Sequence, residues 1–282
     1  MQIDMDWHIH SRHSPCGNPE ATLARILCEA RAAGITCLGV TDHLNGPPTE
    51  AAVRAARAEY DALPEKDGFL FGIEATCLRR YDVEEARRLG AAAGIWGQQK
   101  GGPAGGELTV YLPEALLAEV RPAYVIGGAH WTLGVPLDRE SVIREYHRQS
   151  VHLARHPEVD IVAHPWWWQG AWRDADGMYR TLPWFDDFSV IPPSMHEELA
   201  AAARENGTAI EINAGAIFTN PAYPERFKEQ YLEYLACMKE LGVTFSLASD
   251  SHHPGYDDRL HRIAAELDRL DLTEAHFWRP SE

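Results

Sequence analysis

The stretch Gln2-Ile3-Asp4-Met5-Asp6-Trp7-His8-Ile9-His10 decides how the rest of the chain is read. A short strand-like run over Gln2–Asp6 leads into two histidines separated by one apolar residue. Both imidazoles then project to the same side of the chain end, toward one ion. The same pattern recurs: Thr41-Asp42-His43 follows Thr36–Val40, Glu74 closes Phe69–Glu74, and Gly128-Ala129-His130 follows Ala123–Gly127. Further on, Ala163-His164-Pro165 ends Asp160–Ala163, and Ser249-Asp250-Ser251-His252 follows Val243–Ala248. Six of the 14 histidines fall in these motifs. Scattered structural histidines have no reason to follow strand ends, whereas metal ligands must converge there from several strands of one sheet.

A further strand-like run lies at Thr208–Ile212, and amphipathic helical patterns separate the strands. Leu23, Ile26, Leu27 and Ala30 share one face of the first helix, after an Asn18-Pro19-Glu20 start; others span roughly 49–63, 139–156, 193–206, 225–241 and 257–270. Repeated strand-then-helix units predict an α/β fold with a parallel sheet, closed as a TIM-like barrel of about seven strands with its active site at their C-terminal ends. An open doubly wound sheet is the alternative, but it does not explain ligands from nearly every strand.

Length and composition agree. A chain of 282 residues suits a single domain over residues 1–282. The formal net charge of −16 repels polyanions, so extended nucleic acid and anionic membranes are not expected partners; a small-molecule substrate is. Bound cations would offset part of that charge. The N-terminal run lacks the basic stretch and apolar core of a signal peptide, no stretch is long and apolar enough to span a membrane, and the five cysteines form no Cys-x-x-Cys pair. Together these predict a cytoplasmic protein with reduced thiols.

Two segments read as loops. Residues 90–107, with Gly-Gly-Pro-Ala-Gly-Gly, predict a mobile insertion, either a lid or a long exposed loop. Residues 164–184 hold Trp166, Trp167, Trp168, Trp172 and Trp184 directly after a candidate ligand, which predicts an aromatic wall at the mouth of the site. Packing of that loop onto the barrel is the alternative use of the indoles.

Glu74, at the end of an apolar run, suits a carboxylate bridging two cations, and His130, His164, Asp250 and His252 each close a comparable run. The order Asp-x-His-x-His, Thr-Asp-His, Glu, His, His-Pro, Ser-Asp-x-His resembles the polymerase-and-histidinol-phosphatase (PHP) superfamily, and it covers the chain from Asp6 to His252. Glu211-Ile212-Asn213 followed by Ser249-Asp250-Ser251-His252 is most similar to the histidinol-phosphatase branch. The resemblance implies a distorted seven-stranded barrel that hydrolyses phosphoesters with two or three divalent ions (zinc, manganese or iron).

Carried over by that resemblance, His8, His10, Glu74 and Asp250 hold one ion, and Glu74 bridges to a second held by His130 and His164. His43 and His252 hold a third, with one more ligand from the loop after His10. Where related sequences place Asp or His, this chain has Asn18, a poorer ligand, and His13 or Cys16 are the substitutes; a two-metal enzyme is the alternative.

Such a site implies a metal-bridging hydroxide attacking phosphorus in line. Asp42 and Asn213 are candidates for orienting ligands or water, and His253 for protonating the leaving group. Arg79, Arg80, Lys100 and Arg173 are candidate phosphate contacts, and Trp131, Trp166 and Trp167 candidate contacts for an aromatic or cationic substrate body. The expected activity is that of a small-molecule phosphate monoesterase, with histidinol phosphate the first candidate. Hydrolysis of an amide or lactone in the tryptophan-lined pocket is the second reading, and a catalytically weak metal-binding module acting through partners the third.

Overall fold

The computed structural model describes residues 3–168 and 183–280. Its architecture is mixed α/β, with strand and helix alternating along most of the chain. The strands are β1 (Met5–Ile9), β2 (Cys37–Val40), β3 (His43–Leu44), β4 (Phe69–Phe71), β5 (Ile73–Arg79), β6 (Leu108–Val110), β7 (Val125–Gly128), β8 (Ile161–Ala163), β9 (Ala209–Asn213) and β10 (Phe245–Ala248). The helices are α1 (Leu23–Ala32), α2 (Glu50–Asp61), α3 (Arg80–Leu89), α4 (Glu114–Val120), α5 (Arg139–Ala154), α6 (Pro193–Asn206), α7 (Glu225–Glu240), α8 (Arg259–Arg262) and α9 (Ala264–Arg269).

Two parallel sheets carry the fold, one in the order β1-β2-β4 and one in the order β10-β9-β8-β7-β5-β3, with β6 antiparallel on β5. Their edges adjoin. Gly72, between β4 and β5, donates its N–H to Val40 O at 2.8 Å, while at the far side Asp250 N–H donates to His8 O (2.9 Å) and His10 N–H to Ser251 O (3.0 Å). The arrangement is consistent with a barrel. Strands β5, β9 and β10 are buried along their length, as parallel strands covered by helices must be.

The helices cover the sheets with their apolar faces. In α1, Leu23, Ile26, Leu27 and Ala30 are buried, and the N-cap is Thr22, whose hydroxyl accepts from Arg25 N–H. The start expected at Asn18-Pro19-Glu20 is instead a turn in which Asn18 Oδ1 accepts from Glu20 N–H. The helix expected over 257–270 is broken into α8 and α9, while α3 and α4 are additional to the expected helices. Among the described residues no helix is long and apolar enough to cross a membrane.

Residues 90–107 are pinned rather than free. Arg79, 2 % exposed, donates to Pro103 O (3.0 Å) and Gln99 O (3.2 Å), Gly105 N–H donates to Leu133 O (3.0 Å), and Asn45 Nδ2 to Ile95 O (3.3 Å). These bonds hold Trp96 against the C-terminal ends of the strands, where Trp131 Nε1 donates to its carbonyl at 3.0 Å.

Candidate metal centre

At those strand ends the buried carboxylate of Glu74 meets five histidines. Its Oε2 lies 2.9 Å from His43 Nδ1, 3.3 Å from His8 Nε2 and 3.4 Å from His10 Nε2. Its Oε1 lies 3.0 Å from His130 Nε2 and 3.3 Å from His164 Nε2. Asp250 Oδ1 is 3.3 Å from His10 Nε2 and 3.5 Å from His252 Nδ1. The sequence brings these together through parallel register: His43 pairs with Glu74, and Gly128, two residues before His130, with Ala163 beside His164. Gly128 is required there, because a Cβ would stand 2.3 Å from His130 Cε1. Two of the site residues, His164 (φ 26°) and Asp250 (φ 51°), lie in the left-handed region, a conformation costly for non-glycine residues that is found where function holds it.

A second layer fixes the rings. Glu211 Oε1 accepts from His8 Nδ1 at 2.7 Å, and its Oε2 accepts from His164 N–H at 2.6 Å and from Asn213 Nδ2 at 2.9 Å. Asn213 Nδ2 also reaches Asp250 Oδ2 at 3.3 Å. Asn45 Nδ2 donates to Ile95 O, so its Oδ1 accepts the Thr76 hydroxyl; the Thr76 oxygen is then left to accept His130 Nδ1–H at 3.0 Å. That assigns the tautomer of His130 and leaves its Nε2 bare toward Glu74.

Charge in the cluster is strongly perturbed. Burial works against ionised Glu74, but His43, His8 and His130 outweigh it and hold the carboxyl well below its ordinary value. Burial opposes the His8 cation, yet Glu211, Glu74 and Asp250 raise its pKa well above ordinary. His130 goes the other way, to about 4, because burial outweighs Glu74. Burial opposes the Cys16 thiolate too, but the His10, His252 and His43 rings lower the thiol to about 2. Burial lifts Asp6, which accepts from Ser249 N–H, to about 6.

These residues fit divalent cations. A neutral imidazole with its bare Nε2 3.0 Å from a carboxylate oxygen is repulsive unless a cation lies between them. His8 Nε2 and His10 Nε2 face each other at 3.1 Å, and among the described residues His10 Nδ1 and His164 Nδ1, both buried, have no hydrogen-bond partner. Metal-compatible groups include His8 with His10 and Glu74, His43 with Glu74 and His130, His10 with Asp250 and His252, and His10 with Cys16 and His43.

The cluster floors a cavity of about 260 Å³ walled by Trp96, Trp131 and Trp167. Among the described residues, none of those lining it is an arginine or lysine. Several sequence expectations are corrected here. Arg79 is bound to buried Asp82 (2.7 Å), Arg80 pairs on the surface with Glu107, and Lys100 is exposed with its carbonyl accepting from Tyr81. None of the three lines the cavity. His253 is exposed and also off the cavity wall, with its Nδ1 accepting from Gly255 N–H. Of the tryptophans after His164, only Trp167 reaches the cavity among those described; Trp166, Trp168 and Trp184 are buried and pack together edge to face. Trp172 and Arg173 lie outside the described residues. Asp42 is buried against Ser11, accepting from its N–H (2.7 Å) and hydroxyl (2.5 Å), so it shapes the loop after β1. Asn18 lies off the cavity wall. Glu211, Thr76, Asn45 and Trp96 join the site beyond the residues expected from sequence; for Glu211 the signal is its place two residues before Asn213 on a strand ending at the site.

No family model matches the chain. It is 26% identical over 272 residues, 95% of its length and 88% of the relative's, to a protein of Acetivibrio thermocellus named "Probable phosphatase". Its fold is similar to a histidinol phosphate phosphatase from Lactococcus lactis subsp. lactis Il1403, whose structure holds zinc, L-histidinol and phosphate; the TM-score is 0.55 at 16% identity, covering 96% of this chain and 94% of the other. The resemblance to the polymerase-and-histidinol-phosphatase superfamily carried by the ordered histidines is thus borne out by a relative named a phosphatase and by a fold shared with a histidinol phosphate phosphatase.

Proposed function

We propose that the chain is a metal-dependent phosphoric monoester hydrolase acting on a small-molecule phosphate, built as a distorted seven-stranded barrel in one domain. The observation that carries the proposal is the convergence of His8, His10, His43, His130 and His164 on the single buried carboxylate of Glu74. His8, His10, Glu74 and Asp250 would hold one ion, and Glu74, His130 and His164 a second. When bound, the ions supply Lewis-acid polarisation of a phosphoryl oxygen and an activated water. Zinc, manganese and iron all suit this donor set.

The protein's own residues prepare that chemistry. Glu211 holds His8 by Nδ1, Thr76 holds His130 by Nδ1, and Asn213 braces Asp250, so each ligand meets the cation pre-oriented. Trp96, Trp131 and Trp167 shield the site from water and offer ring faces to the organic part of the substrate. With no arginine or lysine among the described wall residues, the ions carry the recognition of phosphate, and the indoles favour an aromatic or cationic leaving group such as that of histidinol phosphate.

The test is to strip the protein of metal, reload it with zinc, manganese or iron, and follow release of phosphate from histidinol phosphate and p-nitrophenyl phosphate. Metal-restored turnover is expected. A second reading, hydrolysis of an amide or lactone, is favoured by the same tryptophan wall, which holds no arginine among the described residues; loaded protein that turns over no phosphate ester but cleaves such a bond would replace the first reading with the second.

A further inference from the structure

The loop after β1 carries three side chains that could complete a third ion site with His43 and His252, and two of them are committed elsewhere. Asn18 Oδ1 accepts Glu20 N–H at 3.0 Å in the turn before α1. His13 Nε2 is 2.6 Å from Glu59 Oε2. Cys16 alone of the three lines the cavity: its Sγ is 3.0 Å from His252 Nε2, and it forms a metal-compatible group with His10 and His43. The backbone enforces this. Ser14 N–H donates to Ser11 O (3.1 Å) and Gly17 N–H to Ser14 O (2.8 Å), winding the loop so tightly that a Cβ on residue 17 would stand 1.8 Å from Ser11 O. Glycine there lets the chain double back and turn Cys16 inward.

We propose that Cys16 is a thiolate ligand of a third metal site, together with His43 and His252, in place of the residue at position 18. The proposal rests on the metal centre described above and extends it. A sulfur donor beside two imidazoles makes this position softer than the oxygen-bearing pair around Glu74, so it favours zinc or ferrous iron and disfavours manganese and magnesium. The chain then holds two kinds of site in one cavity.

The test uses the full chain, freed of metal and reloaded with cobalt(II) as a spectroscopic stand-in for zinc. The wild-type protein is expected to show a near-ultraviolet thiolate-to-cobalt charge-transfer band. Cys16→Ser should lose the band and about one equivalent of tightly bound metal. Cys16→Asp, which restores an anionic ligand, should recover the metal without the band, and it keeps the test decisive if the serine variant folds poorly. In parallel, zinc should protect Cys16 from alkylation by iodoacetamide, while exposed Cys28 and Cys237 are modified with or without metal. Metal bound in a Glu74-dependent way with no thiolate band, and with Cys16 alkylated equally in both states, would overturn the role of Cys16 and leave the Glu74 centre standing. Failure to bind metal at all would overturn both.

Discussion

Glu211 Oε1 sits 2.7 Å from His8 Nδ1, with both side chains fully buried. The pair turns His8 Nε2 toward Glu74 and His10, and the second oxygen of Glu211 holds the backbone of His164. One carboxylate outside the candidate ligand set therefore positions one ligand on β1 and another just after β8. Partners of this kind are worth roughly 10- to 100-fold in metal affinity or activity. Glu211→Ala is expected to weaken metal binding by about that factor, read by titrating the metal-free protein with zinc and a competing chelator. Unchanged affinity would mean that Glu211 only fills space.

Arg79 was a candidate phosphate contact by sequence and is a buried structural cation in the fold. Removing it leaves Asp82 buried without its counter-charge, held only by the backbone N–H groups of residues 79 and 99, so Arg79→Ala should destabilise the protein by about 3–5 kcal/mol in denaturant unfolding. A rise in KM with no loss of stability would return Arg79 to substrate binding.

Trp131 faces the cavity and donates to the carbonyl of Trp96. An aromatic contact is worth about 0.5–1.5 kcal/mol beyond area burial, so Trp131→Ala should raise KM for an aryl phosphate about 2- to 10-fold more than for a short alkyl phosphate. Equal effects on both substrates would show that the indole does not read the leaving group.

His196 is packed against Phe188, Trp166 and Tyr234, and burial, with His147 nearby, lowers its pKa from 6.5 to about 4. The fold favours the neutral ring. Its contribution is therefore complete above the unfolded-state pKa of 6.5 and is lost as the pH falls from there toward 4, to a total of about 3 kcal/mol. The His196→Phe variant should show a flatter decline of stability across that window than the wild type. Parallel declines would contradict the assignment.

The strand-end histidines were legible because their period and placement are local. His8, His10, His43, Glu74, His130, His164, Asp250 and His252 all meet, and the strands that deliver them fall within a few residues of the expected runs. What was not legible depends on long-range packing. One apolar run divides at Gly72 into β4, paired with β2, and β5, paired with β7, and a Cβ at residue 72 would stand 2.8 Å from Tyr124 Cζ. The charged segment Arg80–Leu89 has little apolar signal of its own and is helical where Asp82 closes the cap on Arg79 and Val83 and Ala86 meet the core. Indoles next to a ligand read alike in sequence whether they line the cavity, as Trp167 does, or the core, as Trp166 does, since one residue of offset decides which way the ring turns. Glu211 belongs to the motif that carries the resemblance, but its role is not legible because its partners, His8 and His164, are far away in sequence.

Glu74 is the point on which the account turns, so the most direct measurement is of Glu74→Gln beside the wild type: metal content per chain and phosphate release from histidinol phosphate in the same samples. The wild type should bind more than one divalent ion and release phosphate only when loaded. The variant should lose bound metal and turnover together, while its circular dichroism stays native. A Glu74→Gln protein that keeps its metal and its phosphate release would contradict a centre organised around that carboxylate.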